Sequence, residues 1–186
     1  MTRWGVVFPD EWAVIRTGPR GQRQIGQLVA AMQGADPDAV RALEGQLRGM
    51  AGQLDAAGVD VLASLVLPVG DGTAVSAVCA VAVVALDDPS PDALRRLAES
   101  GPHPGGARRT SRTELPLGPA SRSASERLAV ELTGASGTAP IQAEVRYVVR
   151  IDDGVVLILH FETLSVAYLT ELSDVFDAVA GTARLA

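Results

Sequence analysis

The sequence predicts an α+β fold in which a mainly antiparallel β-sheet carries helices on its faces, an α/β/α sandwich. Three observations support this prediction. Residues 141–161 alternate apolar and polar side chains with the two-residue period of a strand. Residues 74–86 form a continuous apolar run, which is typical of a central strand covered on both faces. Residues 37–57 and 166–180 instead space apolar side chains three and four positions apart, as amphipathic helices do.

The last two strands are expected to form a hairpin whose register follows from their apolar pattern. Apolar side chains occupy the odd positions on both sides of the segment 152–154. Residues that lie opposite each other share a face, so a three-residue loop that pairs Ile151 with Val155 preserves the pattern. A two-residue turn would break it. Gly154 suits the last position of such a loop, where the backbone has a positive φ.

This register brings charged side chains together on the more polar face of the hairpin. His160 lies opposite Arg146, and Glu162 lies opposite Glu144. A histidine in such surroundings is typical of a solvated or salt-bridged side chain, with a partner-binding patch and a catalytic site as alternatives. For a catalytic or small-ligand site, the candidates are these four residues together with Arg122. Apolar residues on the same face indicate that a helix covers part of it.

The helix predicted at 37–57 contains three glycines, each of which costs about 1 kcal/mol of helix stability relative to alanine. One interpretation is that they allow close packing against the sheet or the preceding helix. The other is that they form a docking face that admits a partner closely. The candidate partner-binding residues are therefore Gly45, Gly49, Gly52, Arg146, His160 and Glu162.

The other elements follow from composition and turn signals along the chain. We expect short strands at 4–8 and 12–17, a helix over 25–32, strands at 59–68 and 74–86 and a short helix at 90–99. Residues 113–133 are expected to form either two strands or a strand and a bend. We predict that residues 1–186 form a single α+β domain, with a helical insertion at about 21–57 and a flexible loop at about 101–112.

Composition excludes several classes of function. The net charge of −6 argues against a nucleic-acid-binding protein, which usually carries a basic face. All 16 cationic residues are arginine, which removes any lysine-based catalysis and indicates a high-GC bacterium. The single cysteine, Cys79, precludes an intrachain disulfide and is expected in the core. Neither a signal peptide nor a membrane-length apolar run is present, so we expect a cytoplasmic protein without membrane insertion.

Common catalytic and metal motifs are also missing. One cysteine and two well-separated histidines do not supply a zinc-binding spacing, and there is no GxSxG elbow. We therefore predict no catalytic residues, no metal site and no cofactor, and we expect that the protein is not an enzyme.

Several segments together suggest a family. They are FPDEW (8–12), LPLGPASR (115–122), ILHFETLS (158–165) and YLTELSDVFDAVAGTARL (168–185). In this order, with an N-terminal hairpin and an antiparallel meander, the chain resembles the PsbP-like α/β/α sandwich proteins, named for an extrinsic subunit of photosystem II. The two helices expected between Thr17 and Val59 are a larger insertion than the family pattern contains. The resemblance implies a non-catalytic binding module, since members include a photosystem subunit, a binder of a nuclear-transport GTPase and bacterial chaperones or adaptors for secreted effectors.

Three functional hypotheses follow. The first is a non-catalytic protein-interaction module that acts as an adaptor, chaperone or subunit of a bacterial, secretion-related assembly. The second is a small-ligand binder or enzyme with a site on the polar sheet face. The third is a homo-oligomeric structural subunit that uses the apolar stripe from Val40 to Leu54 as a self-interface.

Overall fold

A computed structural model of the protein describes residues 4–31, 37–70, 73–100, 108–128 and 139–185. The strands are β1 (Trp4–Gly5), β2 (Trp12–Arg16), β3 (Val59–Gly70), β4 (Thr73–Ala85), β5 (Arg108–Leu115), β6 (Gly118–Leu128), β7 (Ile141–Asp152), β8 (Val155–Thr163) and β9 (Arg184–Leu185). The helices are α1 (Gly18–Ala31), α2 (Pro37–Ala56), α3 (Pro91–Glu99) and α4 (Leu169–Ala180), the last preceded by a 3-10 turn (Val166–Tyr168).

Seven strands form one antiparallel sheet in the order β2-β3-β4-β8-β7-β6-β5. After β4, the chain crosses to the far edge of the sheet through α3 and returns as the meander from β5 to β8. Strand β8 therefore pairs with β4 in the middle of the sheet. Helices α3 and α4 pack on opposite faces, which gives the predicted α+β sandwich.

The predicted N-terminal hairpin is wrong. Strand β1 is only two residues long and pairs with β9, with Trp4 opposite Leu185, in a separate two-stranded sheet. Strand β2 pairs instead with β3, with Trp12 opposite Leu65. The two N-terminal strands thus find partners far along the chain rather than each other.

The register of β7 and β8 agrees with the prediction. Arg146 pairs with His160 and Glu144 pairs with Glu162, so the even-numbered residues of both strands share one face. Even-numbered residues pair with even-numbered residues because a register irregularity near the turn accommodates one extra residue in β7.

The turn itself differs from the predicted three-residue loop. Strand β7 extends to Asp152, which pairs with Val155 and leaves two residues in the turn. The irregularity lies between Arg150 and Asp152, and it restores the odd-to-odd pairing in the rest of the hairpin. Gly154 has a φ of +70°, the conformation predicted for the last turn position.

The main core lies between the sheet and α4. Phe176 of α4 stacks on Phe161 of β8 with 4.5 Å between ring centroids, and Tyr147 and Trp12 meet the edge of Phe161. Cys79 of β4 is fully buried in this core, as expected, and burial raises the pKa of its thiol. A second, smaller apolar cluster lies under α3 on the other face.

Helix α3 covers only part of the second face. It begins as predicted, because the Ser90 side chain accepts a hydrogen bond from the Ala93 N–H and Pro91 occupies the first turn. Leu94 and Ala98 then pack against Val148 and Val156 of the central strands, among other residues. The helical cover expected over this face is therefore present.

The flexible loop expected at about 101–112 is wrong from residue 108 onward, since Arg108 begins β5 and is paired in the sheet as far as Leu115. Residues 101–107 lie outside the described residues.

Helices α1 and α2 occupy the segment predicted as a helical insertion at about 21–57, and Gly58 follows with a φ of +73°.

Helix α1 starts against the edge strand β2. A Cβ added to Gly21 would lie 1.7 Å from the carbonyl oxygen of Arg16, so only glycine allows this approach. The Gln24 side chain also bonds to the backbone of β2. Together these contacts place the α1–α2 pair beside β2 at one edge of the sheet.

Candidate functional site

The described residues show no close packing at the three glycines of α2. Gly45, Gly49 and Gly52 are exposed, and a Cβ added to any of them would have no neighbour within 4 Å among the described residues. For this part of the chain the packing interpretation is not supported, and the docking interpretation stays a prediction. The side chains of Val40 to Leu43, of Leu47 and of Met50, which carry most of the proposed self-interface, lie outside the described residues.

The remaining predicted site residues lie on the sheet face that α3 covers in part. His160 Nε2 lies 3.5 Å from Glu162 Oε1 and 3.8 Å from Glu144 Oε2. One ligand atom from each of these three residues lies within 4.8 Å of the other two. The structure thus brings together the histidine and the two carboxylates that the register predicted to be neighbours. Both separations from Nε2 exceed the length of an ordinary hydrogen bond, and the buried Nε2 has no hydrogen-bond partner in the part of the chain that the structure describes.

Glu144 is held in place by an arginine that the sequence analysis did not identify. Arg127 Nε of β6 donates to Glu144 Oε1 at 2.8 Å, and only 7% of the Glu144 side chain is exposed. The pKa of Glu144 is lowered to about 2. The neighbouring His160 contributes most, burial of the carboxylate partly opposes it, and Arg127 lowers the pKa further.

The Arg146 side chain is bonded to the end of α3 and does not extend freely into solvent. Its guanidinium donates to the carbonyls of Leu97 and Ser100 and to the Ser100 hydroxyl, at the C-terminal end of α3. Arg108 donates to the carbonyl of Glu99 in the same turn. Arginine side chains at the C-terminal end of a helix donate hydrogen bonds to its last carbonyl groups, and their positive charge complements the negative end of the helix dipole. The two arginines therefore fasten α3 to the sheet.

Arg122, a candidate for the enzyme or ligand hypothesis, lies on the opposite face and does not join the cluster. Its Nε lies 3.1 Å from both the Tyr147 hydroxyl and Asp177 Oδ1. The Tyr147 hydroxyl also donates to Asp177. Burial raises the pKa of Tyr147, and the Asp177 hydrogen bond raises it further. This network joins α4 to the sheet.

The sheet face that α3 covers in part, which carries Glu144, His160 and Glu162, also exposes aliphatic side chains. Val66 is 65% exposed, Leu164 is 47% exposed and Val78 is 38% exposed. Val78 pairs with Glu162 across β4 and β8, and Val66 pairs with Ser76 in the next row. We call the surface formed by Val66, Val78, His160, Glu162 and Leu164 the open face.

An open cavity of about 210 Å³ lies within this surface. It is lined by Val78, Glu162, Leu164 and Gln142, among other residues. Gln142 of β7 is buried, and none of the described residues forms a hydrogen bond with its Oε1. Gln142 occupies an even position of β7, so strand parity places it on the cluster's face. Its burial depends on the surrounding tertiary structure, which parity does not reveal.

Comparisons with known proteins identify the fold only. No protein-family model matches the chain, and no curated protein matches it. Among solved structures, the chain is similar to LpqN, involved in cell envelope biogenesis of Mycobacterium tuberculosis, with a TM-score of 0.50 and 12% sequence identity. The alignment covers 98% of this chain and 82% of LpqN. None of the helices in the described part of the chain is long and apolar enough to cross a membrane. The chain therefore shares an α+β fold with a known bacterial protein, and the PsbP-like assignment stays a resemblance.

Proposed function

We propose that this protein is a non-catalytic protein-interaction module that binds a partner protein through the open face. In this role it acts as an adaptor, chaperone or subunit of a bacterial assembly. The observation that carries the proposal is that, among the described residues, α3 covers only part of one sheet face, where aliphatic side chains are exposed near His160 and Glu162.

The exposed aliphatic side chains support a protein partner. Val78 and Leu164 line the same cavity as Glu162, and Val66 pairs with Ser76, which also lines it, so an apolar partner segment would bury all three aliphatic side chains. Burial of apolar area supplies most of the driving force for protein association, and the charged neighbours would fix orientation. Protein–protein interfaces commonly combine buried apolar contacts with a few polar groups of this kind.

The contacts of the charged residues favour binding over catalysis. Of the four residues in the enzyme hypothesis that share this face, Glu144 is bonded to Arg127 and Arg146 is bonded to the end of α3. Each of these groups has a role in holding the fold. His160 and Glu162 remain as the surface-facing members of the cluster.

The likeness to LpqN is compatible with this proposal. LpqN is a bacterial protein involved in cell envelope biogenesis, and it has a similar fold. We therefore extend the proposal to an assembly in a bacterial cell, with secretion as one candidate process.

Co-purification of tagged variants from the native host tests the proposal. Val66→Asp should reduce recovery of the partner at least about tenfold, because it places a charge in the centre of an apolar contact. Val7→Asp is the matched control, since Val7 is 50% exposed but lies beside Thr182, outside the open face. Both variants should melt within about 2 °C of the wild type. Equal partner recovery with Val66→Asp and Val7→Asp would contradict the proposal.

A further inference from the structure

We propose that Glu144, His160 and Glu162 form a binding site for a divalent cation of the zinc class, with Gln142 as a neighbouring oxygen donor. This site lies at the edge of the open face but does not depend on the proposed partner. It rests on the geometry of the three side chains and on buried polar atoms that have no hydrogen-bond partner among the described residues.

The geometry of the three residues suits a bridging ion better than direct hydrogen bonds. His160 Nε2 is 3.5 Å from one carboxylate oxygen and 3.8 Å from the other. Two ligand atoms bound to Zn²⁺ at about 2.1 Å, with tetrahedral angles, lie about 3.4 Å apart. The observed separations are therefore close to those between ligands of one ion, and a small side-chain adjustment would complete the coordination.

Two buried atoms without partners supply an independent indication. His160 Nε2 and Gln142 Oε1 are both buried, and neither has a hydrogen-bond partner among the described residues. Buried polar atoms of this kind cost free energy, so most of them in proteins are satisfied. Gln142 is only 6% exposed and lines the same cavity as Glu162. An imidazole nitrogen that carries no proton is an electron-pair donor, so a cation held between His160 and the two carboxylates would satisfy Nε2.

Three arginines, Arg108, Arg127 and Arg146, interact electrostatically with the cluster, and one oxygen of each carboxylate still faces His160. Arg127 balances Glu144 by bonding Oε1, which leaves Oε2 directed toward His160. Such a partner behind a ligating carboxylate is common around metal sites, where it fixes ligand orientation. Arg146 is bonded to the end of α3, so Glu162 remains the carboxylate without an arginine bonded to it among the described residues.

The ligand types define the class of ion. One imidazole nitrogen with carboxylate oxygens suits Zn²⁺ and related transition metals, whereas Ca²⁺ and Mg²⁺ prefer sites made of oxygen alone. With one histidine and no cysteine, the site should bind less tightly than a structural zinc site. Water or a side chain from a partner would complete the coordination.

Titration of the purified full-length chain with zinc chloride, followed by calorimetry, tests the inference. The wild type should bind one ion per chain, and the ion should raise its melting temperature. His160→Gln and Glu162→Gln should each lower the affinity at least about tenfold. Glu114→Gln is the matched control, because Glu114 is an exposed carboxylate on β5, and it should bind as the wild type does.

The absence of saturable binding by the wild type at neutral pH would overturn the inference. So would binding whose affinity changes less than about twofold in both site variants. Glu162 is partly exposed, so Glu162→Gln should fold even if His160→Gln does not, and circular dichroism checks this. Failure of this titration would leave the co-purification result for Val66→Asp unaffected, so the two proposals fail separately.

Discussion

The side chain of Gln24 in α1 bonds to the free edge of β2 at Arg16. Its Oε1 accepts the Arg16 N–H at 3.3 Å, and its Nε2 donates to the carbonyl of Val14. Strand β2 is the last strand on this side of the sheet, so these backbone groups would otherwise have no partner in the ladder. Covering an edge in this way prevents pairing with another chain.

Replacing Gln24 with alanine should therefore expose the edge. We expect a loss of about 1 kcal/mol in the free energy of unfolding, measured by urea denaturation, and increased self-association by light scattering. Gln27→Ala is the control, since Gln27 is an exposed glutamine of the same helix. Identical scattering by both variants would show that Gln24 does not protect the edge.

Glycines in the two neighbouring helices should respond in opposite ways to alanine. Gly49 has open space around its Cβ position, so Gly49→Ala should stabilise the chain by up to about 1 kcal/mol through helix propensity. Gly21→Ala should destabilise it by more than about 2 kcal/mol, because the added Cβ would overlap the Arg16 carbonyl. Thermal melts of the two variants test this, and a shift in the same direction for both would contradict the packing described for α1 and α2.

The low pKa of Glu144 predicts a stability change in acid. Its folded pKa of about 2 lies below the ordinary value of 4.5, so the folded state favours the ionised form. The resulting stability is fully present above pH 4.5 and is lost as the pH falls toward 2. Glu144→Gln should lose roughly 3 kcal/mol at pH 7, because the charged partner of Arg127 is removed.

The same variant should also lose less stability than the wild type between pH 4.5 and 2. Urea denaturation at several pH values measures this difference, with Glu114→Gln as the exposed control. Parallel pH profiles for Glu144→Gln and the wild type would show that Glu144 does not contribute this acid sensitivity.

Arg146 should act through α3 rather than through a partner. Arg146→Met keeps much of the side-chain volume but removes the bonds to Leu97 and Ser100, so it should cost about 1–2 kcal/mol. Hydrogen exchange should become faster in α3 while α4 stays protected. Unchanged exchange in α3 would return Arg146 to the set of candidate partner-binding residues.

Strand parity was enough to predict part of the site. The alternation in β7 and β8 placed Arg146 opposite His160 and Glu144 opposite Glu162, because a period of two residues assigns each side chain to a face. The fold class followed from the same kind of pattern. Both predictions depend on short-range regularities that the sequence displays directly.

Contacts between residues far apart in the chain could not be predicted from these local patterns. The Arg127 bond to Glu144 depends on the register of β6 against β7, and a long connection between those strands leaves that register open in the sequence. Arg146 finds the end of α3 only because the chain crosses the sheet before β5. The pairing of β1 with β9 joins residues at opposite ends of the chain, so no local signal predicted it.

The most direct test of the proposed function is site-specific photo-crosslinking in the native host, with the crosslinking residue placed at position 66 or position 164. We predict that both positions capture the same partner protein and that a crosslinker at position 7 does not. Equal capture from position 7, or different proteins from positions 66 and 164, would contradict the open face as a binding surface. Crosslinks between two copies of this chain would contradict a separate partner and support the homo-oligomeric alternative.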